Sequence, residues 1–151
     1  MNVSKNNLEQ TRQYEKYVKS DNIFIKLPKN FCTRWKIEPT SAVIYQVIQN
    51  ADDLEFGCFT GSRKDLAVIT YTSIATITRI LENLCKRGFI AKVKIELFGK
   101  QYTVYKNLGT DCNLPIHIGK PFTVEEKLKI NLYEREKILK QWAKEFNIKI
   151  I

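Results

Sequence analysis

The chain has 151 residues, 44% of them hydrophobic and 11% aromatic, which suits a single domain with one or two additions and excludes a disordered polymer. Its formal net charge is +9, from 25 Lys and Arg against 16 Asp and Glu, and favours a polyanionic partner. No run approaches the roughly 18 apolar residues of a membrane span, and the polar start Met1 to Asn7 lacks the apolar stretch of a secretion signal, so a cytoplasmic protein with no membrane partner is expected.

Residues 1–22 form an N-terminal extension, in which Leu8 to Val18, with Tyr14 and Tyr17, is a candidate helix. Ile23 to Phe31 can run as an extended arm that ends at Pro28 and a short turn of helix. Thr40 or Ser41 then opens a helix through about Asn50, with Ala42, Val43, Ile44, Val47 and Ile48 on its apolar face. Asp52, Asp53 and Glu55 follow as an acidic patch, read as a solvated loop rather than a divalent-metal site. Gly57 to Thr60 is the natural place for a short strand.

Leu66 to Leu81 reads as helix, tight turn, helix. Ser62 and Asp65 form a capping-box-like pair for the first helix, and Ser73 can cap the second. At about 100° per residue, Ile74, Ile77, Leu81 and Leu84 share one stripe, whereas Ala75, Thr76, Arg79, Asn83 and Lys86 lie opposite. Such a division lets one face bury while short polar residues and an arginine reach base edges in a major groove. Gly88 closes the helix, and Phe89 to Leu97 alternates apolar with charged residues as a half-buried strand. Phe98-Gly99-Lys100 makes a turn, and Gln101 to Lys106 returns, with Lys92, Lys94 and Lys100 on the outer face and tip.

This order resembles the winged helix-turn-helix, an α+β fold with a three-helix core and a small antiparallel wing, here over residues 23–106. The spacing is similar to the bacterial pattern "LAxxxGVSxxTVSRxL", matched by Leu66, Ala67, Ser73, Thr76, Ile77, Thr78, Arg79 and Leu81. Tyr71 stands where that pattern has glycine, and Thr72 where it has a small apolar residue. A positive-φ turn tolerates tyrosine poorly, which predicts a longer or differently shaped connection. The segment Lys26-Leu27-Pro28-Lys29, followed by Ala42-Val43-Ile44-Tyr45, also resembles the N-terminal region of replication initiators and replisome organisers of plasmids and phages from low-GC Gram-positive bacteria.

After a loop over 107–122, residues 123–151 predict a C-terminal helix, capped by Thr123 with Glu126. Leu128, Leu132, Leu139, Trp142 and Phe146 follow four-three spacing on it, with Arg135 occupying the remaining slot and Ile138 alongside. The seam must bury against its own domain or a second copy, and a homodimer docking on a palindrome is the favoured use.

Charge concentrates on the motif. Lys and Arg stand against Asp and Glu at 8 to 7 in residues 1–55, 9 to 3 in 56–106, and 8 to 6 in 107–151. Cys32, Cys58, Cys85 and Cys112 are far apart and His117 is the one histidine, a distribution that argues against a zinc site. No phosphate-binding glycine loop or nucleophile-base pair is evident, so neither enzymatic activity nor a cofactor is expected. The expected function is sequence-specific binding of double-stranded DNA by a small transcriptional regulator. Thr72, Ala75, Thr76 and Arg79 are candidates for base contact. Ser62, Arg63, Lys64, Lys92, Lys94, Lys100 and Lys106 are candidates for the phosphate backbone or minor groove. An accessory or initiator protein in plasmid or phage replication or conjugative transfer is the alternative, and a winged helix used only for protein interaction is a third reading.

Overall fold

The computed structural model describes Leu27 and residues 29–110 and 123–151. The expected helix over Leu8–Val18, most of the arm, Cys112 and His117 lie outside these residues. Within them the chain is α+β, in an arrangement compatible with a winged helix-turn-helix. The order is α1 (Phe31–Trp35), α2 (Pro39–Asn50), a 3-10 turn (Ala51–Asp53), α3 (Arg63–Thr70), α4 (Ile74–Arg87), β1 (Ile90–Leu97), β2 (Lys100–Asn107), α5 (Val124–Tyr133), α6 (Arg135–Glu145) and β3 (Lys149–Ile150). Among the described residues no helix is long and apolar enough to cross a membrane.

The first core lies among the helices. Ala42, Ile44, Tyr45, Val47 and Ile48 of α2 are buried against Leu66 of α3 and Ile77, Ile80, Leu81 and Leu84 of α4. Four aromatic rings knit its edge: Tyr45 meets Phe89 edge-on at 5.2 Å, Trp35 meets Phe89 at 5.8 Å, and Phe31 stacks on Tyr45 at 6.0 Å. Arg87 locks α1 to the end of α4, its guanidinium donating to the carbonyls of Trp35 and Lys36 at 2.7 and 2.9 Å while lying over the Phe89 ring.

The second core lies under the sheet, whose strand order is β2-β1-β3 with both pairs antiparallel. Val93, Ile95 and Leu97 of β1 and Val104 of β2 bury against Leu139 and Trp142 of α6 and against Ile148. The hairpin turns in two residues, Phe98 and Gly99, both at positive φ, which matches the twist of the flanking strands. Gly57 to Thr60 does not form the expected strand; it contributes a single bridge, Phe59 to Tyr105. The third strand comes instead from the C-terminal Lys149–Ile150, pairing with Ile95 and Glu96.

The C-terminal helix departs most from expectation. It breaks at Glu134 into α5 and α6, because its two halves serve different cores: Leu128 belongs to the first and Leu139 and Trp142 to the second. The indole N–H of Trp142 donates to the Phe56 carbonyl at 2.8 Å, and the Phe146 ring covers Gly57 so closely that a Cβ there would meet it at 2.6 Å. Leu128, Leu139 and Trp142 are therefore buried in their own chain and withdrawn from the expected dimer seam. Of the five seam residues, Leu132, 43% exposed, and Phe146 at the helix end keep open surface.

Candidate nucleic-acid interface

The local chemistry that sets α3 against α4 is capping. Ser62 accepts from the Asp65 amide at 3.2 Å, and Asp65 accepts from the Ser62 amide at 2.7 Å, a full capping box at the start of α3. Ser73 does the same work for α4 by accepting from the Thr76 amide at 3.2 Å. Tyr71 joins the two helices in the left-handed conformation, φ 52°, ψ 44°, and its amide bonds back to the Ala67 carbonyl. The expectation of a longer or differently shaped connection is thus corrected: the link is the tight Tyr71-Thr72-Ser73 turn, with Tyr71 in the left-handed conformation. The helix cores on either side fix the turn, so tyrosine takes the glycine conformation at a cost of about 1–2 kcal/mol.

Ile77, Ile80, Leu81 and Leu84 are the buried stripe of α4. Ile74, expected on that stripe, is 45% exposed, and Ile80 takes the fourth place. The stripe consequently turns slightly, and the centre of the opposite face falls on Ala75, Arg79, Glu82 and Lys86, with Asn83 beside them; all five are exposed. Among the described residues the side chains of Arg79, Asn83 and Lys86 engage no hydrogen-bond or ion-pair partner, so their polar groups are open to an external acceptor or donor. Glu82 was absent from the sequence-predicted contacts although it occupies the middle of the face; its position, three residues after Arg79 and four before Lys86, was the available signal.

Two of the expected base contacts already have local work. The Thr76 hydroxyl accepts from the Ser73 hydroxyl at 2.9 Å, and the Thr72 hydroxyl donates to the Thr70 carbonyl at 3.0 Å. Ala75 and Arg79 carry no such tie. Arg63 and Lys64 are exposed in the first turn of α3, with the Arg63 guanidinium 3.3 Å from the Thr78 hydroxyl on α4.

The hairpin separates the expected lysines by face. Lys92 and Lys94 stand opposite Tyr105 and Thr103, on the side away from the second core, and both are exposed. Lys100 opposes Leu97 at the exposed tip. Lys106 is corrected from a candidate DNA contact to a structural cation: it pairs with Asp52 at 3.0 Å, and its side chain is 12% exposed. Asn107 donates to the second Asp52 oxygen at 2.8 Å and accepts from the Tyr45 hydroxyl at 2.5 Å. Burial raises both the Tyr45 phenol and the Asp52 carboxyl above their ordinary ranges, against the lowering effect of these bonds. The acidic patch therefore contributes one carboxylate to a half-buried network rather than a purely solvated loop.

Burial pushes the Cys58 thiol up to about 12 and raises that of Cys85, which keeps both protonated at neutral pH. Among the described residues no three His, Cys, Asp or Glu side chains gather as a metal site. No protein-family model, curated protein or solved structure matches the chain.

Proposed function

We propose that the chain is a winged helix-turn-helix protein that binds double-stranded DNA sequence-specifically, as a small transcriptional regulator. The observation that carries this reading is the division of α4: one stripe buried, and an opposite face presenting Ala75, Arg79, Glu82, Asn83 and Lys86 to solvent, with the side chains of Arg79, Asn83 and Lys86 unengaged. A helix of these proportions fits a major groove, where arginine bonds guanine and asparagine bonds adenine. Arg63, Lys64, Lys92, Lys94 and Lys100 supply exposed cations on the flanking elements for the phosphate backbone. A replication or transfer protein of a mobile element would use the same surface.

The test is fluorescence-anisotropy binding of the unaltered chain and Arg79→Ala to a selected duplex and a random duplex at two salt concentrations. Sequence-selective, salt-sensitive binding that the substitution weakens on the selected duplex supports the reading. Absence of binding at low salt sinks it. In that event the protein-interaction reading takes over, favoured by one specific observation: Val68, Tyr71 and Ile74, exposed at 62%, 98% and 45%, gather apolar surface around the α3–α4 turn.

A further inference from the structure

Two grooves meet at one lysine. The first, about 210 Å³, lies between α4 and the sheet, with Arg63, Glu82 and Lys92 among its lining residues. The second, about 440 Å³, lies between β1, β3 and α6, where Lys92, Lys94, Arg135 and Lys140 line it and Glu136 is the acidic side chain present. Arg63 thus lines the first groove, Lys94, Arg135 and Lys140 line the second, and Lys92 lines both, with Glu82 and Glu136 the acidic residues among them.

The basic lining of the second groove is built rather than scattered. Arg135 donates to the Lys92 carbonyl at 3.1 Å, which fixes its guanidinium on the groove wall and leaves further N–H donors for a second acceptor. Lys92, Lys94 and Lys140 form no ion pair among the described residues, whereas Lys149 close by is paired with Glu96. Four cations to one acidic side chain leave the groove net positive, although Lys92 and Lys94 reach it from the face of β1 turned away from the second core, and a polyanion relieves their mutual repulsion. The four cations are spread over β1 and α6 in an open groove with apolar Leu139 and Ile150 in its lining, which suits a chain of regularly spaced phosphates better than one small anion.

We infer that the groove between β1 and α6 is a second backbone-binding surface for the duplex that α4 reads, so that α6 extends the bound site beyond the bases under α4 and the wing. The inference rests on the DNA reading above. It gives α6 a role other than the dimer seam: Leu139 and Trp142 hold the sheet, and Arg135 and Lys140 grip flanking DNA.

The decisive experiment measures binding of the whole chain to two labelled duplexes carrying the same selected site, one ending at the site and one extended on both flanks, across a salt series. Lys140→Ala is the principal variant because Lys140 is exposed and makes no contact that folding needs; Lys129→Ala on α5 is the charge-matched control. The expected result is that Lys140→Ala lowers the log-log salt slope by about 0.9 on the extended duplex and leaves the short duplex unchanged, while Lys129→Ala affects neither. An equal effect on both duplexes, no effect on either, or an equal effect of Lys129→Ala overturns the groove and leaves the DNA reading standing. Failure of the unaltered chain to bind either duplex overturns both.

Discussion

The side-chain amide of Asn131 donates to the Gly88 carbonyl at 3.0 Å, tying α5 to the residue that ends α4. The same amide reaches the Gly109 carbonyl at 2.8 Å, and Lys127 donates to its oxygen at 2.9 Å, so a fully buried polar group is satisfied on both sides. Gly88 permits the approach: at φ 101° a Cβ on it would lie 2.5 Å from the Leu128 carbonyl oxygen. Asn131→Ala leaves two carbonyls without their donor and should cost about 2 kcal/mol, within the range for unsatisfied buried groups. Urea denaturation checks this. A loss below about half a kcal/mol would mean that apolar packing through Leu128 and Val124 holds α5 without these bonds.

Tyr71 is one of five non-glycine residues at positive φ among the described residues. Its left-handed conformation is unfavourable for a side chain with a Cβ, and its ring is 98% exposed, so packing returns nothing. Tyr71→Gly removes that strain but adds unfolded-state entropy, and the two effects leave stability unchanged or raised by up to about 1 kcal/mol. Thermal unfolding decides. A marked loss would show that the tyrosine makes a contact worth more than its strain.

These two positions mark how far the sequence reaches. Caps written in neighbouring residues are legible: Ser62 with Asp65, Ser73, Thr123 and Gly88 all cap where their spacing predicts, whereas the turn at Tyr71 is not, because the flanking helices impose the left-handed conformation on it. The alternation from Phe89 to Leu97 likewise places β1, observed as Ile90–Leu97, to within one residue, because one face must be buried. Features decided by distant partners were not legible. Lys149–Ile150 is a strand only because β1 offers an unpaired edge, and Lys106 looked like a wing cation because Asp52, its partner, lies 54 residues earlier. Four-three spacing over Leu128, Leu139 and Trp142 could not reveal that a break at Glu134 sends the two halves to different cores. The exposed face of α4 is legible at Ala75, Arg79, Asn83 and Lys86, but not at Thr76, which is half-buried, nor at Glu82, which the exposure of Ile74 brings to its centre.

The pairing of Asp52 with Lys106 makes a pH prediction. Burial raises the Asp52 carboxyl above its ordinary 3.8, so the folded protein holds this proton more tightly than the unfolded chain. Its contribution to stability is complete below the ordinary value and falls as pH rises through the raised one. In Asp52→Asn that component is absent. Unfolding free energies measured from acid to neutral pH should therefore decline more with rising pH in the unaltered chain than in the variant. Parallel profiles would show that Lys106 and Asn107 fully offset the burial.

Glu82 offers the sharpest check on how α4 would read DNA. A carboxylate in the centre of a DNA-facing helix is repelled by phosphates, and the favourable partner a major groove offers it is the cytosine amino group. Glu82→Gln should raise affinity for random duplex by removing that repulsion, and should relax preference at one C·G pair of the selected site by about 1–3 kcal/mol. Arg79→Ala, by contrast, should weaken the selected duplex by about 1–3 kcal/mol, with much less effect on random sequence, and Lys100→Ala at the hairpin tip should weaken all duplexes alike. Selection of preferred sites with each variant separates the three roles. If Glu82→Gln selects the same site as the unaltered chain with the same stringency, Glu82 is a solvated neighbour of Arg79 and Lys86, and the reading of bases falls to Ala75, Arg79 and Asn83.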